Sequence, residues 1–184
     1  MKRLFAAIKI HPDEQFRKIY NQLKFGLSED KIKWVDLNNT HLTLKFFGET
    51  PEEQIDKIAQ AMDEAVLDAA AFEIHLKNTG IFGSRYNPRV IWFGIEPNDQ
   101  LQNLYSNLKK NLEELGYEYD RQNFVPHLTV GRIRNLKNKH YFQKVIDKYK
   151  NVELQKEQIN KLILYESILR PTGPEYIVVE EFKL

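Results

Sequence analysis

Residues 41–44 read His-Leu-Thr-Leu, and residues 127–130 read His-Leu-Thr-Val. Their offset is 127 − 41 = 86 residues, close to half of a 184-residue chain. Side chains on a strand alternate between faces, so His41 and Thr43 point one way and His127 and Thr129 do likewise. In each copy the Leu between them turns into a core. A period of this length excludes a solenoid, whose repeats run to about 20–50 residues, and points to a duplicated α+β lobe.

Strand and helix signals alternate outward from the motifs. Residues 4–10 form a short apolar run, and Pro12 is suited to open a helix. Phe16, Ile19, Tyr20, Leu23 and Leu27 make one helical stripe. Residues 32–35 and 41–47 read as strands. Thr50, Pro51 and Glu53 spell a capping box before a second stripe of Ile55, Ile58, Ala59, Met62 and Val66. Strands over 72–76 and 90–95 flank a segment, 80–88, rich in turn formers. Asn98 caps a third helix carrying Leu101, Leu104, Tyr105, Leu108, Leu112 and Leu115, closed by Gly116. A strand over 124–133, a helix marked by Tyr141, Phe142, Val145, Ile146 and Tyr149, and strands over 152–154, 159–169 and 176–182 complete the chain.

Composition narrows the function. Lys and Arg number 27 against 26 Asp and Glu, a net charge of +1 that excludes a tail-driven, non-specific nucleic-acid binder. The absence of Cys removes disulfides, thiolate chemistry, iron–sulfur clusters and zinc fingers. No stretch approaches the roughly 20 apolar residues of a membrane-spanning helix. The apolar run behind Lys2 and Arg3 stops at Lys9, shorter than a secretory core. The expectation is a cytoplasmic protein with no membrane partner, acting as a monomer.

One His-x-Thr triplet carries no information. Two, at equivalent places of a repeat in a chain with five His, do. A His and a Thr aimed into an apolar core cost several kcal/mol unless hydrogen-bonded. Residues i and i+2 on a strand are roughly 6–7 Å apart, so an imidazole and a hydroxyl there can both touch one phosphate-sized group. If the lobes face each other, two such couples meet in one cleft.

The segments His41-Leu-Thr-Leu-Lys-Phe-Phe-Gly-Glu49 and Pro126-His-Leu-Thr-Val-Gly-Arg132 resemble the twin signatures of the two-histidine (2H) phosphoesterase superfamily. More narrowly, the chain resembles the RNA 2′,3′-cyclic phosphodiesterases, also called 2′-5′ RNA ligases. Trp34-Val35, Pro88-Arg-Val-Ile-Trp-Phe-Gly94, Leu164-Tyr-Glu-Ser167, Gly173 and Tyr176 extend the resemblance over nearly the whole chain. Phe47 and Val130 stand where the family usually has Leu, swaps that leave the His and Thr positions untouched. The resemblance implies two pseudo-symmetric lobes in a single bilobal domain over 1–184. Each lobe is an antiparallel sheet with two helices on its outer face, and a central cleft lies between the sheets. It also implies metal-independent opening of terminal 2′,3′-cyclic phosphates on RNA ends or nucleotides, with 2′-5′ ligation as the reverse activity.

The chemistry suits the residues. Opening a cyclic phosphate needs a base for water and an acid for the departing ribose oxygen, and imidazole titrates near pH 6.5. The hydroxyls of Thr43 and Thr129 suit the non-bridging oxygens. The motifs are symmetric, so spacing leaves open which His is acid. The resemblance implies His41 as proton donor and His127 as proton acceptor. Neither motif holds a carboxylate or a His-x-His pair, so no metal or cofactor is expected.

Arg132 matches an Arg of the family, and a guanidinium suits phosphate. Strict alternation puts it opposite His127 unless Gly131 bends the strand. Lys45 and Phe47 share parity with His41 and are expected to line the cleft. Arg85, Arg89, Arg121 and Arg134 are candidates for a basic rim, and Tyr86 for a loop aromatic. Trp34 and Trp92 read as core, and His11, His75 and His140 as non-catalytic. Two other readings stay open: a 2′-5′ oligonucleotide or small cyclic-nucleotide phosphodiesterase using the same residues, and a catalytically idle RNA-end binding module.

Overall fold

The computed structural model describes residues 1–119, 124–171 and 173–184. Nine strands and four α-helices follow one another along these residues: β1 (Lys2–Lys9), α1 (Glu14–Gly26), β2 (Lys31–Trp34), β3 (His41–Thr50), α2 (Ile55–Val66), β4 (Phe72–Ser84), β5 (Asn87–Ile95), α3 (Asp99–Glu114), β6 (His127–Asn135), α4 (Lys139–Lys148), β7 (Glu153–Ile159), β8 (Lys161–Arg170) and β9 (Gly173–Lys183). They build two antiparallel sheets, ordered β3-β1-β8-β9 and β2-β6-β5-β4-β7.

The sheets are not the two halves of the chain. The first combines the N-terminal strands β1 and β3 with the C-terminal β8 and β9, so each end of the chain locks the other into one lobe. Helix α2 packs on β8 and β9 with α3 against it, while α1 touches β7 and α4 touches β4. Leu4, Ala6 and Ile8 of β1 enter the main core, whereas Phe5 and Ala7 join Ile163, Tyr165 and Tyr176 in a second apolar cluster. Burial on both faces is why this strand reads as a continuous apolar run instead of an alternating one. Strand β3 of the first sheet lies against β6 of the second, which places the two repeated motifs side by side.

Several element ends differ from the sequence reading. The cap of α1 is Asp13, whose carboxylate accepts from the Phe16 amide, so Pro12 stands outside the helix. The capping box at Thr50 does not form. Thr50 is buried at the end of β3, where its hydroxyl donates to the Gly48 carbonyl at 3.1 Å, and Pro51 is extended. A short 3₁₀ turn over Glu52–Gln54 then leads into α2. Asn98 and Gly116 behave as expected: the Asn98 side chain accepts from the Leu101 amide, and Gly116 takes φ +86° just past α3. Strand β6 begins at His127, not at 124, and the last strands break at Asn160.

The expected loop over 80–88 is instead a β4–β5 hairpin that turns at Arg85 and Tyr86. Gly80 is there for space. It pairs with Trp92, and a Cβ on it would lie 2.1 Å from an indole carbon. Gly80→Ala therefore forces the indole to move, at an overpacking cost of about 1–3 kcal/mol. A lowered urea midpoint with unchanged slope is the expected outcome, and an unchanged midpoint would contradict the packing.

Candidate active site

A cleft of roughly 940 Å³ opens between the sheets, and His41, Thr43, His127 and Thr129 all line it. The structure thus brings both couples to one space, and their local geometry repeats at the sequence offset. The Nδ1 of His41 is 2.7 Å from the main-chain carbonyl of Asn39, and the Nδ1 of His127 is 2.8 Å from that of Val125. The partners are again 125 − 39 = 86 residues apart. A carbonyl can only accept, so each Nδ1 carries the hydrogen and each Nε2 is left for the cleft.

The turn before β3 sets the first of these bonds. Asp36 caps a 3₁₀ turn over Leu37–Asn39, its carboxylate accepting from the Asn38 amide at 2.8 Å. The buried Thr40 hydroxyl donates back to the Leu37 carbonyl, and the Asn39 side chain donates to the Pro174 carbonyl of the opposite strand end. The Asn39 carbonyl is held from both sides. No motif in the sequence marks this support, because it is built from turn-forming residues of ordinary kind.

His41 lies between Phe5, ring centroid at 5.0 Å, and Tyr176, edge-on at 5.2 Å. Phe82 meets the His127 ring edge-on at 4.6 Å. Burial pushes the pKa of both imidazoles below the ordinary value, because the charged ring loses water. The hydrogen bonds to Asn39 and Val125 oppose this. The positive charge of Arg132 adds to it at both rings, and Lys9 adds at His41. Arg132 also acts on Tyr176, so its guanidinium stands within electrostatic reach of both lobes.

Arg132 reaches the cleft through a bulge. Trp92 pairs with Thr129 and Ile91 with Gly131, leaving Val130 as an extra residue that reverses the parity of everything after it. Gly131 is compact because Ile32 and Trp34 pack on it, 3.0 and 3.3 Å from where a Cβ would stand. Strand β3 bulges at the equivalent residue: Ala7 pairs with Thr43 and Ala6 with Lys45, with Leu44 skipped. Again 130 − 44 = 86.

That second bulge corrects two expectations. Neither Lys45 nor Phe47 lines the cleft. The ammonium of Lys45 donates to the Glu118 carbonyl and sits 4.1 Å from the centre of the Tyr119 ring, and Phe47 packs edge-on against Tyr117 at 5.3 Å. The side chain brought to the cleft is Phe46, half exposed, with the Arg3 guanidinium 5.2 Å over its ring. A bulge read into both copies would have found it.

The basic rim also differs. Arg134 lines the cleft as expected, Arg85 and Arg89 do not, and Arg121 lies outside the described residues. Arg3, Lys33 and Arg170 take their places. Trp34, expected in the core, packs against it and also forms part of the wall. His11 and His75 are engaged by Glu157 and by Glu96 and Glu153, away from the cleft. Among the described residues no three His, Asp or Glu side chains cluster as a metal site would require.

The same architecture occurs in solved structures. One is TT0787 of Thermus thermophilus, with a TM-score of 0.77 and 26% identity, covering 99% of this chain and 97% of that one. Another is Escherichia coli LigT complexed with 3′-AMP, with a TM-score of 0.73 and 20% identity, covering 100% and 98%. The chain belongs to the family described as LigT like Phosphoesterase, whose model matches it twice in succession, over residues 8–92 and 94–176. The starts are 94 − 8 = 86 residues apart, the offset of the histidines. Curated relatives named RNA 2′,3′-cyclic phosphodiesterase include one from Methanocaldococcus jannaschii, 36% identical over 98% of this chain and 99% of its own length. Another, from Thermotoga maritima, is 33% identical over 97% and 94%.

In the free protein, NMR titration of the imidazoles is expected to give midpoints below 6.5 for both His41 and His127, with the Nδ1–H tautomer in each. A midpoint at or above 6.5, or an Nε2–H tautomer in either neutral ring, would contradict the geometry.

Proposed function

We propose that this phosphoesterase, acting as one bilobal domain, hydrolyses terminal 2′,3′-cyclic phosphodiesters of RNA to 2′-phosphomonoesters. The observation that carries this reading is the pair of imidazoles hung from carbonyls at the same offset, each offering Nε2 to one cleft. The names of the curated relatives support RNA ends as the substrate class.

The step is a single displacement. His127, neutral at Nε2, takes a proton from water as the water oxygen bonds to phosphorus. The bond from phosphorus to O3′ breaks on the far side, and protonated His41 gives its Nε2 proton to O3′. One proton enters at His127 and one leaves at His41, so the pair returns to its starting state by exchange with solvent. The assignment of donor and acceptor rests on the family resemblance, since burial lowers the pKa of both rings. Thr43 and Thr129 donate to the non-bridging oxygens as charge grows there, and Arg132, standing near both rings, meets the phosphate's negative charge. No step in this scheme calls for a metal ion. A 5′-hydroxyl in place of water makes the same displacement a 2′-5′ ligation.

Substrate binding bears on the titration. A phosphodiester anion between the rings favours their protonated forms, so both pKa values rise in the complex. The bell for kcat/KM, which reports the free enzyme, is therefore expected at lower pH than the bell for kcat. Coincident bells, or the reverse order, would contradict it.

His41→Ala or His127→Ala is expected to lower kcat on a cyclic-phosphate-ended RNA by about 10²–10⁴, and Thr43→Val by about 10². Activity is expected to survive EDTA, with the 2′-phosphate as product. Turnover that ignores both histidines, or stops with chelator, would overturn the proposal.

A further inference from the structure

A second groove, of roughly 610 Å³, adjoins the cleft, and Arg132 and Arg134 line both. Asn87 and Arg89 of β5, Asn135 at the end of β6 and Lys139 at the start of α4 complete it. Four of its lining residues are Arg or Lys and none is acidic. All four cations are exposed, and among the described residues none makes an ion pair. Elsewhere the chain pairs several of its charges: Lys2, Lys77, Lys137, Lys156 and Lys161 each hold a Glu. In a protein of net charge +1, a run of unpaired cations leading out of the cleft is suited to an extended anion.

The β6 bulge makes the run continuous. Register places Lys33, Arg132 and Val90 in one row across β2, β6 and β5. The pairing of β5 with β4 skips Arg89 between Val90 and Pro88, and Arg89, Arg134 and Lys139 all line the groove. Arg89 and Lys139 line this groove and not the cleft of the two histidines. A strand continuing 5′ from the cyclic end would need cations where these stand, with carboxamides for sugar and base edges.

We propose that this second groove holds the phosphate backbone of the nucleotides 5′ to the cyclic phosphate, so that the preferred substrate is an oligonucleotide end and not a free cyclic nucleotide. The proposal rests on the function above.

Two measurements test it separately. The first is the anisotropy Kd of a 5′-labelled ten-nucleotide RNA ending in a 2′-phosphate, which requires no turnover. Arg89→Gln with Lys139→Gln is expected to weaken binding about tenfold and to flatten the salt dependence by about 1.4 in slope, two contacts at about 0.7 each. Arg89→Lys with Lys139→Arg keeps both charges and is expected to bind within about twofold of the wild type. The second is the ratio of kcat/KM for a cyclic-ended ten-nucleotide RNA to that for 2′,3′-cyclic AMP, expected to fall about tenfold in the Gln variant.

An unchanged Kd, slope and ratio in the Gln variant would overturn the groove while leaving the hydrolytic reading intact. Equal loss in the Gln and the charge-keeping variants would also overturn it, by pointing to the fold instead of the charge. Wild-type protein that binds the RNA through these residues yet turns over neither substrate would sink the hydrolytic reading alone.

Discussion

Each of the two imidazoles donates its Nδ1 hydrogen to a main-chain carbonyl two residues upstream, and the rest of the site depends on that bond. A free imidazole interconverts between tautomers and turns about its side-chain bonds. Tied at Nδ1, it presents one nitrogen, Nε2, in one direction. The bond is made to the backbone, so changes to the Asn39 or Val125 side chains do not remove the acceptor itself. What holds it in place is the turn that presents the carbonyl: the Asp36 cap, the Thr40 hydroxyl and the Asn39–Pro174 bridge on one side. The chemistry of the cleft is in this sense a property of how β3 and β6 begin.

The electrostatics of the cleft oppose its own histidines. Burial among Phe5, Tyr176 and Phe82 and the nearby Arg132 charge all favour neutral rings. In the proposed mechanism one ring must be protonated, and a phosphodiester anion bound between the rings would offset that cost with its opposite charge. The cations are also placed unevenly. A chain with a net charge of +1 concentrates Arg3, Lys33, Arg132 and Arg134 along one opening, while Lys137, Lys156 and Lys161 sit in surface ion pairs worth little to stability.

Much of this was legible in the sequence, and the exceptions share causes. The 86-residue offset, the helical stripes and the apolar strand runs pointed to two sheets with helices packed on them. That the sheets exchange strands between the halves was not legible, because pairing of β1 with β8 is a long-range choice that local pattern does not record. Gly131 signals that the second motif can bend, and the bulge falls beside it, at Val130. The matching bend at Leu44 has no glycine, so strict alternation misplaced Lys45 and Phe47 and missed Phe46. The capping box at Thr50 failed for another reason: the strand claimed the threonine before the helix began. Burial and strand pairing overrode local propensity in both cases.

The central claim is spatial, that one phosphorus atom is gripped from two lobes. A crystal structure with a slowly hydrolysed 2′,3′-cyclic phosphorothioate tests it directly. Phosphorus is expected between the rings, with His41 Nε2 and His127 Nε2 each about 2.6–3.2 Å from an oxygen bound to phosphorus or from the attacking water. A phosphate held by only one of the two lobes, or bound outside the cleft, would contradict it.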